Sequence, residues 1–146
     1  MTAPSSARTE LVDTNILVYA HDIAEPVKQR RSQELIRQLL RRDAFTISVQ
    51  SLNEFYRVVS KPAHSRLMYP EYGVNAVRTI AQAAHVLPLT AEISLLAMNA
   101  CERYRMSIWD SLIWAVAKYN GMSIIYTEDT QSAGAIEGIH YVNPFA

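Results

Sequence analysis

An α/β fold, arranged as a three-layer α/β/α sandwich around a central parallel sheet, is expected for this chain from three observations. Short apolar runs, typical of buried strands, alternate along the sequence with longer segments of helical periodicity. Alternation of this kind favours a parallel sheet with helices on both faces. The chain has 146 residues and 49% hydrophobic content, which suits one domain with a single buried core.

The first half of the chain is predicted to contain two strands and two helices. They are, in order, strand 11–19, helix 25–42, strand 44–49 and helix 51–59. An apolar stripe at helical spacing indicates the first helix. Ser51 and Glu54 have the spacing of a capping box, which indicates where the second helix begins.

The second half continues the alternation and completes the predicted domain. Its elements are helix 74–84, extended segment 86–89, helix 91–104, helix 107–120 and short strands 123–127 and 140–142. Ser107 and Asp110 mark the start of the last helix, and Gly121 supplies the left-handed residue after its end. We expect residues 1–10 to form a flexible tail and residues 11–146 to form the domain.

Composition excludes several classes of function. The formal net charge is zero and the pI is about 6.9, so the whole-protein field offers no general attraction for nucleic acid. Cys101 is the only cysteine and has no disulfide partner, which favours a reducing, cytoplasmic setting. No apolar run is long enough to span a membrane, and residues 1–9 lack the apolar core of a signal peptide.

Four acidic residues stand where a predicted strand ends or a predicted helix begins. They are Asp13, Glu54, Asp110 and Asp129. In a parallel sheet the carboxyl ends of the strands share one edge, which is where open α/β sheets place their ligand sites. We therefore expect the four carboxylates to lie near one another.

Each acid also has a purely structural explanation. Asp13 could cap a turn through its side chain, and Asp129 could be an ordinary loop acid. Glu54 and Asp110 both fit capping boxes, which explains either of them taken alone. The set of four, each at a strand end or on the helix that follows, is what favours function.

Clustered carboxylates repel one another and take up protons unless a cation neutralises them. Mg²⁺ and Mn²⁺ prefer hard oxygen ligands of this type. Such an ion activates a bound water and screens the charge that builds on a phosphate during in-line attack. The acids therefore indicate a divalent-metal site, with phosphodiester hydrolysis as the natural reaction.

Four short motifs that contain the acids follow one another along the chain: LVDTNILVY at 11–19, NE at 53–54, WDSLI at 109–113 and YTED at 126–129. Together they resemble the signatures of PIN-domain ribonucleases, and more narrowly those of VapC toxins of bacterial toxin–antitoxin pairs. The ending GIHYVNPF at 138–145 is similar to that of a subfamily, so the resemblance extends over residues 11–145.

The resemblance implies a role for each matching residue. The implied catalytic and metal-binding residues are Asp13, Asp110, Asp129 and Glu54, the last bound to the metal directly or through water. Asn15 and Thr127 match polar residues that orient the carboxylates by hydrogen bonding. Glu128 and Asp22 are additional acids near these positions, and both are left out of the ligand set.

The resemblance also implies an activity and partners. The expected protein is a Mg²⁺- or Mn²⁺-dependent endoribonuclease that cleaves a single-stranded or loop segment of a structured RNA, such as tRNA, rRNA or mRNA. A cognate antitoxin protein and a toxin homodimer are implied as well. The alternatives are a housekeeping PIN nuclease for RNA processing and a non-catalytic module that binds RNA or protein. A receiver-like phospho-acceptor domain is disfavoured, because residues 86–90 contain no Asp.

The first predicted long helix carries six of the fourteen basic residues of the chain. Such a set is usually a solvated face, but backbone contacts from Lys and Arg dominate nucleic-acid affinity. Arg30, Arg31 and Arg37 are therefore the possible RNA contacts on this helix.

Overall fold

The computed structural model describes residues 8–61, 67–131 and 134–146. Six strands and six helices occur within these ranges. Their order is β1 (Glu10–Val12), α1 (Thr14–Tyr19), α2 (Pro26–Arg41), β2 (Thr46–Ser48), α3 (Val49–Val59), α4 (Pro70–Ala83), β3 (His85–Leu87), α5 (Ala91–Tyr104), α6 (Ile108–Tyr119), β4 (Ile124–Tyr126), β5 (Ala135–Ile136) and β6 (Ile139–Val142).

The strands form the predicted central sheet, in two hydrogen-bonded sections. In the larger section the order is β1-β4-β6-β5, with β1, β4 and β6 parallel and the short β5 antiparallel at the edge. The smaller section is the parallel pair β2-β3, and β2 lies beside β1. The expected α/β architecture with a central parallel sheet is confirmed.

Helices cover both faces of the sheet, and the alternation of side chains in β1 connects the two resulting cores. Leu11 packs with α5, α6 and the strands of the larger section, around the buried Trp114. Val12 points the other way and packs with α1, α2, α3 and β2, around Phe55. Successive strand residues face opposite sides, so two cores form in place of the single one expected.

The predicted strand 11–19 is wrong beyond Val12. Asp13 is extended and accepts a hydrogen bond from the Thr14 backbone N–H through its side chain, so it is the N-cap of helix α1. An apolar run of this length fits a strand or a buried helix equally well by periodicity. The helix forms because it buries Ile16 and Leu17 in the core around Phe55.

Helix α3 begins earlier than predicted because Ser48, not Ser51, is its N-cap. The Ser48 hydroxyl accepts a hydrogen bond from the Ser51 backbone N–H at 3.1 Å, so the capping box expected for Ser51 and Glu54 is wrong. Glu54 therefore lies in the middle of the helix, where a capping role no longer explains it. Helix α4 likewise begins before residue 74, with Pro70 in its first turn.

The ordered part of the sheet starts before the predicted boundary at residue 11. The carbonyl of Thr9 accepts hydrogen bonds from the backbone N–H groups of Ser123 and Ile124. Buried Glu10 is held by Arg42, at 2.8 and 3.2 Å, and by the Tyr126 hydroxyl at 2.6 Å. Of the predicted tail, residues 1–7 lie outside the described part of the chain.

Candidate active site at the carboxyl edge of the sheet

The carboxyl ends of three parallel strands meet at one edge, as the sequence predicted. The backbone N–H of Asp13, just after β1, donates to the carbonyl of Tyr126 at 3.0 Å. The N–H of Thr127, just after β4, donates to the carbonyl of Val142 at the end of β6, also at 3.0 Å. The motifs that follow β1 and β4 are thereby held side by side.

The four predicted acids line one cavity of about 410 Å³ at this edge. Its lining residues are Asp13, Thr14, Asn15, Val18, Tyr19, Asp22, Glu54, Val58, Trp109, Asp110, Ile113 and Asp129. A concave site of this size suits a small ligand or one group of a larger one. The structure thus brings together all four side chains, which lie as far apart as residues 13 and 129 in sequence.

Asp13 is the partly buried acid at the centre of this arrangement. Burial raises the pKa of its carboxyl to about 6, although hydrogen bonds from the Thr127 hydroxyl and the Thr14 backbone N–H oppose the shift. The negative charges of Glu54 and Asp129 raise the pKa further. A carboxyl whose pKa rises for these reasons is one that a cation would stabilise in its charged form.

Thr127 and Asn15 are hydrogen-bonded to two of the acids. The buried Thr127 hydroxyl donates to Asp13 Oδ2 at 2.8 Å and accepts from the backbone N–H of Asp129 at 3.0 Å. The Asn15 amide donates to Thr127 Oγ1 at 3.1 Å and to Asp129 Oδ2 at 3.3 Å, and its carbonyl accepts from the backbone N–H of Glu128. One network thus orients both Asp13 and Asp129.

Glu54 is positioned by two residues that the sequence analysis missed. The Thr14 hydroxyl donates to Glu54 Oε2 at 2.8 Å, and the Gln50 amide donates to Oε1 at 3.0 Å. The signals were faint: Thr14 follows Asp13 directly, and Gln50 stands four residues before Glu54, one helical turn away. Only the packing of α1 against α3 makes them partners.

Asp110 lies in the first turn of α6, whose N-cap is Ser107, as predicted. The Ser107 hydroxyl accepts from the Asp110 backbone N–H at 3.1 Å, which leaves the Asp110 carboxylate to face the cavity. Burial, and after it the negative charges of Asp110 and Asp13, raises the pKa of Tyr141. The Tyr141 hydroxyl is buried without a hydrogen-bond partner among the described residues. Since buried polar groups are normally paired, a water or ligand is expected to complete it.

The two additional acids have other partners. Glu128 forms an ion pair with Lys28 and accepts from the Tyr19 hydroxyl at 2.7 Å, and these contacts lower its pKa. Asp22 also lines the cavity, but its carboxylate accepts from the backbone N–H of Ala24 at 3.0 Å in a turn.

The basic residues of α2 are not equivalent. Arg31 donates to the backbone carbonyl of Phe145 at 3.0 Å, which ties α2 to the end of the chain. Arg30 and Arg37 are exposed, and no described residue forms a salt bridge with either of them. Contact of Arg30, Arg31 and Arg37 with RNA stays a prediction. An RNA contact by Arg31 would compete with its hydrogen bond to the carbonyl of Phe145.

The donor set at the edge fits a hard divalent cation in its chemistry. The ionisable side chains that line the cavity are carboxylates and one phenol, with no thiol or imidazole. Within the described ranges, no three His, Cys, Asp or Glu side chains approach closely enough to share one ion. The raised pKa of Asp13 and the carboxylates around it nevertheless mark this cavity as the place where a cation would be stabilised.

Comparisons with known proteins agree with the sequence motifs. The sequence model of the PIN domain family matches residues 11–135. A search of curated proteins gave no match. None of the described helices is long and apolar enough to cross a bilayer.

Among solved structures the chain is similar to toxin–antitoxin proteins. DNA-bound VapBC from Salmonella typhimurium has a TM-score of 0.70 and 17% identity, covering 93% of this chain and 98% of that one. A toxin–antitoxin complex from Klebsiella pneumoniae has a TM-score of 0.67 and 17% identity, covering 92% and 97%. Mycobacterium tuberculosis VapC20, described as a sarcin-ricin loop cleaving toxin, has a TM-score of 0.64 and 18% identity, covering 88% and 97%. At these identities the likeness is one of fold.

Proposed function

The chain belongs to the PIN domain family, and on that premise we propose that it is a Mg²⁺- or Mn²⁺-dependent endoribonuclease that hydrolyses phosphodiester bonds. The observation that carries the proposal is the convergence of Asp13, Glu54, Asp110 and Asp129 on one cavity at the carboxyl edge of the sheet. Local capping explains the place of Asp110 in its helix but does not explain why acids from four separate segments face the same space.

We propose that these four carboxylates hold one or two ions, Glu54 directly or through water. Asn15, Thr127, Thr14 and Gln50 would orient them by hydrogen bonding. A bound divalent ion would supply Lewis-acid stabilisation of the phosphate and activation of water. The chain itself supplies a preorganised cluster of negative charge. Burial and the neighbouring carboxylates raise the pKa of Asp13 to about 6, so a bound cation would favour its charged form.

We propose further that the protein is the toxin of a toxin–antitoxin pair, with a cognate antitoxin and a homodimeric state. The four sequence motifs support this, as do the solved structures of similar fold, which include VapBC assemblies. A single cysteine with no disulfide partner fits the proposed cytoplasmic setting. The RNA that it cleaves is proposed to be a loop or single-stranded segment of a structured RNA.

The test of the activity is cleavage of transcribed tRNA, rRNA fragments and mRNA in Mg²⁺, in Mn²⁺ and in EDTA. We expect discrete cleavage products with either ion, none in EDTA, and none from Asp13→Ala. Glu92→Gln is the matched control, since Glu92 is an exposed acid in the first turn of α5, outside the cavity. Cleavage that persists in EDTA, or in Asp13→Ala, would contradict the proposal.

The proposed partners have separate tests. Co-expression with the neighbouring open reading frame should yield a complex that co-purifies and lacks ribonuclease activity. Light scattering on the isolated protein should give twice the 16.5 kDa chain mass. A monomer, or a neighbouring product that neither binds nor inhibits, would remove the toxin assignment while leaving the nuclease proposal in place.

A further inference from the structure

Trp109 is an exposed aromatic side chain at the mouth of the acidic cavity. It is 63% exposed, whereas Trp114 on the same helix is 2% exposed and donates its indole N–H to the carbonyl of Ile136. Within the described ranges Trp109 makes no hydrogen bond and no ring contact. A buried Trp usually finds a hydrogen-bond partner for its indole N–H, and that of Trp109 has none among the described residues.

An exposed hydrophobic residue by itself needs no explanation, so the position of Trp109 is what counts. The lining of the cavity is of two chemical kinds. It includes the four carboxylates and a set of apolar side chains, which are Trp109, Val18, Val58 and Ile113. Trp109 immediately precedes Asp110, so the indole and a proposed metal ligand project from adjacent positions at the start of α6.

A nucleotide matches both kinds of lining, because it joins a flat aromatic base to a phosphate. With the phosphate at the carboxylates through a cation, the exposed indole next to Asp110 is available for the base. Indole faces stack on nucleobases, and this contact tolerates different sequences because every base has a π-face. A base inside a duplex is already stacked and paired, so only an unpaired or flipped base can use this surface.

We propose that Trp109 is a stacking platform for an unpaired nucleobase next to the scissile phosphate, and so a residue that makes the enzyme select single-stranded RNA. This inference rests on the proposed nuclease function. It adds a specificity element that none of the acids can supply, because carboxylates and a cation act on the phosphate, which is the same in paired and unpaired RNA.

The test uses an RNA that the wild-type protein cleaves, and the same RNA with an abasic site beside the cleavage position. Trp109→Ala should reduce kcat/KM on the intact RNA about 5- to 150-fold, the range expected for loss of one stacked base. On the abasic RNA the same variant should cause little further loss, because the two changes remove one contact. Trp109→Phe should retain most of the activity.

The matched control is Tyr119→Ala, since Tyr119 is an aromatic residue of α6 that is 57% exposed and lies outside the cavity. It should leave both RNAs unaffected. Binding is read independently from tryptophan fluorescence, with the Trp109→Phe protein providing the emission of Trp114 alone. A short single-stranded RNA of mixed sequence should quench Trp109, and the same strand in a duplex should not.

Several results would overturn the inference. One is equal loss of activity on intact and abasic RNA in Trp109→Ala, and another is equal quenching by the single strand and the duplex. If Trp109→Ala leaves RNA cleavage unchanged but weakens the dimer or the antitoxin complex, the indole is a protein contact. If no RNA is cleaved while single strands alone quench Trp109, stacking stands and the nuclease function fails.

Discussion

Replacing Asp13 by Asn should stabilise the metal-free protein at neutral pH and destroy its response to Mg²⁺. Asn matches Asp in shape and is an equally good N-cap, so helix α1 keeps its first-turn hydrogen bond from Thr14. The substitution removes the negative charge that burial and the neighbouring carboxylates oppose, and also the Oδ2 acceptor of the Thr127 hydroxyl, whose loss offsets part of the gain. The variant therefore separates the structural role of Asp13 from its electrostatic one.

The magnitude follows from the shift in the pKa of Asp13 from 3.8 to about 6. Each pKa unit corresponds to about 1.36 kcal/mol, so ionised Asp13 costs the folded state at most about 3 kcal/mol. Because the pKa of Asp13 is raised in the folded state, its protonated carboxyl contributes fully to the free energy of unfolding below about pH 4. That contribution is lost as the pH rises through about 6. In a chain of this size the full effect corresponds to about 6–12 °C in Tm.

The assay is thermal unfolding of both proteins in EDTA from pH 4 to pH 8, followed by titration of Mg²⁺ at pH 7.5. We expect the two Tm values to nearly coincide at pH 4, to diverge between pH 4 and pH 6, and to differ by a constant amount above that, with Asp13→Asn more stable. Binding to the folded state alone should then stabilise the wild type by about 1.4 kcal/mol at ten times the Kd, and the variant by much less.

Asp43→Asn is a matched control of opposite sign. Asp43 is an exposed acid whose pKa is lowered, first by a hydrogen bond from His85 and then by the charges of His85 and Arg8. Its substitution should lower the Tm at neutral pH and leave the Mg²⁺ response intact. The reasoning about Asp13 is refuted if Asp13→Asn is less stable than the wild type at every pH, or if Mg²⁺ stabilises both proteins equally.

Three further predictions concern other parts of the site. Asp110→Ala should abolish RNA cleavage with only a small loss of stability. Ser107→Ala, which removes the helix cap, should lower the free energy of unfolding in urea by about 1 kcal/mol and leave cleavage intact. An Asp110→Ala protein that is less stable but still cleaves RNA would make Asp110 structural. Thr127→Val should lower the free energy of unfolding by about 1–3 kcal/mol and raise the Mg²⁺ concentration needed for half-maximal stabilisation about 10- to 100-fold. An unchanged Mg²⁺ dependence would exclude an orienting role for Thr127. Arg30→Gln combined with Arg37→Gln should flatten the slope of log K against log salt for single-stranded RNA by about 1.4, and an unchanged slope would rule out backbone contacts by these arginines.

Much of the site follows from local sequence because its residues occupy the ends of elements. Ser107 caps α6 as predicted, and Gly121 is left-handed just after the helix, since caps depend on neighbouring residues alone. The proximity of the acids after β1 and β4 could be predicted because the carboxyl ends of parallel strands share one edge of the sheet. That rule needs the strand ends and their direction. The parallel direction was predicted from the alternation of strands and helices and β4 from its apolar run, whereas the predicted first strand ran past Asp13 to residue 19.

Other features depended on contacts between segments that are remote in sequence. Residues 14–19 are helical because Ile16 and Leu17 become buried in the core around Phe55. Hydrophobic periodicity over six residues cannot distinguish such a helix from a strand. Glu54 is oriented by Thr14, forty residues away, through the packing of α1 on α3.

The same division explains the surroundings of the acids. The sequence places Glu128 beside Asp129, but only the fold brings Lys28 to Glu128 and so removes that acid from the cluster. The sequence also shows two tryptophans five residues apart on one helix, but only packing buries Trp114 and leaves Trp109 exposed at the cavity. Sequence alone thus determined which chemistry is available and near which strand ends. Tertiary structure decided which groups are paired, buried or exposed, because those properties depend on neighbours that local sequence does not contain.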